Sequence, residues 1–142
     1  MKRIFTICLS IAIVIFSVNV YANDSVTESD YSYSNEKASL SISNRSEYTL
    51  TIKVMRSNGG GLYTTVTIPA KSSRTVYFSN SGSFFTKMKA EKGLETLYKQ
   101  DSPFSIQCDI YGYTEASISY YVSPSGGSAG KSISRSEFEK NY

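Results

Sequence analysis

From Ala38 to Val122, apolar and polar residues alternate in short runs broken at regular intervals by Gly, Pro, Asn and Ser. That period of two limits the chain more than any other feature, because alternation over four to eight residues gives a strand one buried and one solvated face. Leu40 and Ile42 begin it. After the turn-like cluster Asn44-Arg45-Ser46-Glu47, the residues Tyr48, Leu50, Ile52 and Val54 point one way, and Thr49, Thr51, Lys53 and Met55 the other. Ser57-Asn58-Gly59-Gly60-Gly61 then reverses the chain, since glycine takes positive φ without steric cost. Leu62, Thr64, Val66 and Ile68 form the next inward series, backed by Tyr63, Thr65 and Thr67. Pro69 ends it because it cannot donate to a ladder.

Val76 and Phe78 mark a short strand closed by Asn80-Ser81-Gly82. Phe84, Met88 and Ala90 mark another, backed by Phe85, Lys87 and Lys89. Residues 91–103 read as a short edge strand or as half a turn of helix around Leu94 and Leu97. Phe104, Ile106, Cys108 and Ile110 alternate again. Across the turn Tyr111-Gly112-Tyr113-Thr114 they face Ala116, Ile118, Tyr120 and Val122, which predicts an antiparallel hairpin. Seven strands with turn signals between them and no long helix predict an all-β fold, a small antiparallel β-sandwich over residues 38–123. An immunoglobulin-like Greek key is the leading topology and a small barrel the runner-up.

The flanks differ in texture. Residues 1–22 read as a cleavable signal peptide: Lys2 and Arg3, an apolar run from Ile4 to Val18, and Val20-Tyr21-Ala22 with small residues where signal peptidase needs them. Cleavage there leaves no transmembrane segment and implies export, to the periplasm, the cell surface or the medium. Residues 23–37 are polar, acidic and aperiodic, the texture of a disordered segment. Residues 124–142 form a Gly/Ser-rich flexible tail that ends in one short candidate helix, where Ser134 and Glu137 have capping-box spacing.

Export also changes the charge balance. Two of the fifteen basic residues fall in the leader, leaving thirteen against twelve acids. What survives is local: residues 45–99 hold nine bases against Glu47, Glu91 and Glu95, a surface suited to anionic partners such as acidic glycans. No nucleic-acid recognition module is visible.

The sequence contains no histidine, which removes His-based triads and His-ligated zinc, and no cofactor or metal motif is present. Cys108 is the single cysteine after the leader and falls on the apolar side of its run, where an inert packing thiol is expected. Asp101, Asp109 and Glu115 are the candidate acids for glycoside cleavage, with Asp109 and Glu115 expected to face each other across the last hairpin. The compositional surplus is tyrosine, whose large face and hydroxyl suit contacts with proteins and sugars. Alternation turns Tyr63, Tyr77 and Tyr121 outward, with Tyr111 and Tyr113 in the last turn and Arg74 nearby as a basic anchor. These residues predict a non-catalytic binding module for a protein or glycan partner. An assembly role through sheet edges and the tail is the alternative, and a small hydrolase using surface carboxylates comes third.

Overall fold

The computed structural model describes residues 37–123 and 130–142. The expected leader, all but the last residue of the acidic segment and the 124–129 linker lie outside the described residues. Eleven strands and one short helix follow in order: β1 (Ala38–Asn44), β2 (Thr49–Arg56), β3 (Gly61–Ile68), β4 (Ser73–Phe78), β5 (Gly82–Lys92), β6 (Glu95–Gln100), β7 (Phe104–Ile106), β8 (Cys108–Asp109), β9 (Gly112–Tyr113), β10 (Glu115–Tyr120), β11 (Lys131–Ser132) and α1 (Arg135–Glu139). The ambiguous 91–103 stretch is the hairpin strand β6. Leu94 is not part of a packed helix but lies fully exposed at the turn.

The strands form a small sheet ordered β10-β1-β4 and a larger one ordered β11-β6-β5-β2-β3, with β7 pairing to β5; β8 and β9 make a separate two-stranded ribbon. Nearly all pairings are antiparallel, but β1 and β10 run parallel, with Leu40 beside Ala116 and Asn44 beside Tyr120. A parallel pair needs a long crossover, and residues 45–114, about half the chain, lie between these two strands. Because β1 is flanked by β4 and β10 rather than β2, the pairings do not reproduce the immunoglobulin order. Nor do the sheets close into a barrel, since β3 and β4, the outer strands on one side, are not paired with each other.

One core joins the two inward faces. Leu40 and Ile42 of β1, Leu50, Ile52 and Val54 of β2, Phe78 of β4, Phe84 and Met88 of β5 and Ile118 of β10 are buried in a single cluster. Each such side chain contributes roughly 1.5–3 kcal/mol when withdrawn from water. The demand to fill this core from both sides breaks the expected last hairpin. Phe104 pairs opposite Phe84 in the larger sheet, whereas Ala116, Ile118 and Tyr120 belong to the smaller one. The chain changes sheets at Gln107, whose N–H donates to Thr114 Oγ1 at 2.8 Å and whose carbonyl accepts the Thr114 N–H at 2.9 Å.

The outer face of the larger sheet carries the C-terminal segment. Ser134 caps α1 by accepting the Glu137 N–H at 3.1 Å, and β11 pairs with β6. The last carbonyls of a helix have no partner within it. Here two sheet lysines supply them: Lys87 Nζ donates to the carbonyls of Glu137 (2.7 Å) and Lys140 (3.1 Å), and Lys53 Nζ to that of Phe138 (3.1 Å) and to Asn141 Oδ1 (2.9 Å). The Lys53 ammonium also lies 4.8 Å from the centroid of the buried Phe138 ring. Both lysines are consequently buried on a face that alternation assigns to solvent.

Candidate functional site

Pairing of β2 with β5 sets Arg56 opposite Phe84, so the β2–β3 turn and the β4–β5 turn meet at one end of the molecule. Ser57 N–H donates to the Ser83 carbonyl at 2.9 Å and ties them together. Between them lies a cleft of about 200 Å³. Its floor is aromatic. Gly82 lets the Phe84 ring lie against the backbone, since a Cβ at that position would stand 3.1 Å from the ring. Much of the remaining lining is polar: Asn58, Ser79, Asn80, Ser81 and Ser83. Gly59 and Gly61, at φ of 72° and 75°, give the β2–β3 turn its shape.

Arg56 supplies the charge. Its guanidinium lies 5.0 Å from the centroid of the Tyr63 ring, and Nη1 makes only long contacts to the Gly60 and Leu62 carbonyls, at 3.5 and 3.4 Å. Among the described residues no carboxylate pairs with it. Among the other bases of residues 45–99, Arg45 lies over the Tyr121 ring and Arg74 donates to the Ser73 carbonyl, neither with a carboxylate partner, while several lysines are committed. Lys53 and Lys87 hold the C-terminal segment, Lys71 and Lys89 pair with Glu47 and Glu91, and Lys92 sits over Tyr48.

A second groove, of about 330 Å³, runs along the seam between β3 and β4 and is lined by Tyr63, Val66, Val76 and Tyr77 among others. Tyr63 belongs to both concavities and bridges the seam by donating its hydroxyl to the Tyr77 carbonyl at 2.8 Å. It is not the outward residue that alternation predicts. The β2–β3 register shifts between Val54 and Met55, so Thr64 faces Val54 while Leu62 faces Met55. Such a bulge inverts the side of every residue beyond it. Leu62 accordingly leaves the inward series, and Tyr63 stacks on Phe78 with centroids 5.0 Å apart.

The other candidate tyrosines divide between two ends. Tyr77, 61% exposed, edges the seam. Tyr111, 78% exposed, lies on the β8–β9 turn, which is held beside the cleft by a 2.8 Å hydrogen bond from Cys108 N–H to Ser81 Oγ. Tyr113, expected at the surface, packs partly buried against the core. Tyr121 and Arg74 are exposed but belong to the far end: Tyr120 pairs with Asn44 and Arg74 with Ile42, whereas Tyr77 pairs with Ser39. Tyr77 and Tyr121 are therefore roughly 20 Å apart along the strands, and no single tyrosine patch forms.

The acids do not converge either. Asp109 pairs with Gly112 within its ribbon and Glu115 sits beside Ser39, so the two do not face each other as expected. The Tyr111 N–H and the Gln107 amide hold the Asp109 carboxyl below the usual range, the opposite of what a general acid needs. Asp101 accepts the Tyr120 hydroxyl at 2.5 Å and that of Thr86 at 2.7 Å. Burial, and then the Asp101 charge, push the Tyr120 phenol well up. Cys108 is partly buried, its Sγ 3.4 Å from the Phe78 carbonyl.

Arg56, Asn58 and the serines of residues 79–83 are polar turn residues without periodicity, and nothing in their spacing reveals that two turns meet. Only the glycine triplet signals that one turn is built for close approach. Compared with known proteins, the chain matches no family model, no curated protein and no solved structure.

Proposed function

We propose that this chain is an exported, non-catalytic binding module, a small β-sandwich that takes a glycan in the cleft between its β2–β3 and β4–β5 turns. The observation that carries the reading is the lining of that cleft, where hydroxyls and amides that both donate and accept surround an aromatic floor. Sugar hydroxyls need partners of that dual kind. Tyr111, beside the cleft, and Tyr77, at the adjoining seam, offer rigid apolar faces to the rest of a chain. Export rests on the N-terminal charge, apolar run and Val20-Tyr21-Ala22 exit site.

The test begins with protein expressed with its leader and recovered as a chain starting at Asn23, then screened on glycan arrays. Tyr111→Ala and Tyr77→Ala should each weaken a bound glycan, by up to about 30-fold for a true anchor, equivalent to roughly 2 kcal/mol. Tyr121→Ala at the far end should leave binding unchanged. Ligands that respond to Tyr121 and ignore Tyr77 and Tyr111 would place the site elsewhere.

One observation favours a second reading: β3 and β4 present unpaired edges to each other across the 330 Å³ seam. An extended peptide could add there as a strand. Backbone amide shifts confined to β3 and β4 on peptide addition would select this reading over the first.

A further inference from the structure

We infer that the cleft is specific for acidic sugars, with Arg56 receiving the carboxylate; the inference rests on the glycan reading and narrows it. A guanidinium presents five N–H donors in a planar fork that matches a carboxylate with two parallel hydrogen bonds. In this protein only Nη1 of that fork is engaged, and only at 3.4–3.5 Å, beyond ordinary hydrogen-bond lengths. The fork is nonetheless held in place. The Tyr63 ring lies under it, and Tyr63 is itself fixed by stacking on Phe78 and by its bond to the Tyr77 carbonyl. Tyr63 is thus a positioning residue, set inward by the bulge in β2–β3 pairing.

Among the described residues no acid lines the cleft, although the Asp109 carboxyl hydrogen-bonds Ser81 of the lining. An anion entering it meets the Arg56 charge inside the cleft and the Asp109 charge behind Ser81, which suits a single carboxylate placed on the Arg56 side. The size fits one ring: about 200 Å³ falls below the roughly 300–1,000 Å³ typical of drug-sized ligand sites. The serine hydroxyls and asparagine amides then face the hydroxyls that distinguish a uronic or sialic acid from a simple carboxylate.

The deciding experiment titrates the mature protein with a panel of uronic-acid and sialylated oligosaccharides, each beside a neutral oligosaccharide of matching size, following backbone amide shifts. At least one acidic member should shift residues 56–63 and 79–84 and bind tenfold or more tighter than its neutral counterpart, with affinity falling as salt rises. Arg56→Gln should abolish that preference, bringing each acidic member to the affinity of its neutral counterpart, while leaving the melting temperature unchanged. Equal binding of acidic and neutral members overturns the acidic specificity and leaves the glycan reading standing. No cleft shifts with any member overturns both, and cleft shifts with a glutamate-rich peptide alone replace the sugar with a protein ligand. An Arg56→Gln variant that keeps the acidic preference removes Arg56 from the role.

Discussion

Lys53 and Arg56 stand three residues apart on β2, both cationic, yet they meet opposite fates. Lys53 is buried beneath the C-terminal segment with its ammonium shared among Phe138, Asn141 and the Phe138 ring. Arg56 stands at the exposed end of the same strand with most of its donors facing open space. A charge whose every donor is satisfied internally serves the fold, because removing it leaves its partners stranded. A charge fixed in position but not satisfied is available to something else. The outer sheet face and the turn end of this protein thus separate structure from candidate function along a single strand.

The largest effect should come from the satisfied side. Lys87→Ala strips the donor from the carbonyls of Glu137 and Lys140 and opens a void beneath α1, so it should cost about 1–3 kcal/mol in urea melts. Arg56→Ala should cost less than about 0.5 kcal/mol by the same measurement. Similar losses for the two variants would erase the distinction between the regions.

Acid should loosen the same segment more gently. The hydrogen bond and charge of Lys140, helped by Lys87, hold the Glu137 carboxyl below its ordinary value. A carboxyl depressed in the folded state contributes its stabilisation in full above the unfolded value, about 4.5, and loses it as pH falls through the lower folded value. Relative to their intrinsic exchange rates, which themselves slow in acid, the Phe138 and Ile133 amides should therefore lose protection below pH 4.5 while the β2–β5 ladder keeps it. Glu137→Gln should remove that pH dependence. If ladder and segment open together in acid, the C-terminal segment is no separate unit.

Alternation in the sequence reveals the inward series of β1, β2, β4 and β5, because burial on one face demands it. Ser134 and Glu137 announce the cap of α1, since that bond is local. Tyr63 defeats the pattern because one extra residue in β3 inverts the face, and no residue near it signals a bulge. The partner of β10 is equally hidden: Ala116, Ile118 and Tyr120 say that one face is buried, not which strand lies beside them. Lys53 and Lys87 read as solvated, since what covers them lies 85 and 50 residues further along. The cleft depends on these long-range outcomes, which is why the residues chosen from the sequence include Tyr77 and Tyr111 beside it but also Tyr121 and Arg74 at the wrong end.

The smallest effect on stability should come with one of the clearest structural signatures. A Cβ at Gly60 would stand 2.7 Å from Cδ of Arg56, too close to coexist with the present side-chain position. The backbone at Gly60 is not in the left-handed region, and the nearest obstructing atom belongs to a flexible side chain, although Arg56 Cβ at 3.0 Å, fixed to its backbone, must also give slightly. Gly60→Ala should consequently move the guanidinium off the Tyr63 ring while changing stability by less than about 0.5 kcal/mol. Proton shifts of Arg56 Hδ should lie upfield in the unaltered protein because of the Tyr63 ring and return toward ordinary values in the variant, and those of Phe78 should stay put. Gly82→Ala is the contrast. There the Cβ meets the ring of Phe84, held among Tyr63, Phe78 and Phe104, and a packed ring cannot swing aside as an exposed arginine can. If Gly60→Ala instead melts early and leaves the Arg56 shifts untouched, the guanidinium is anchored more firmly than its long contacts allow, and Arg56 belongs with Lys53 as part of the fold.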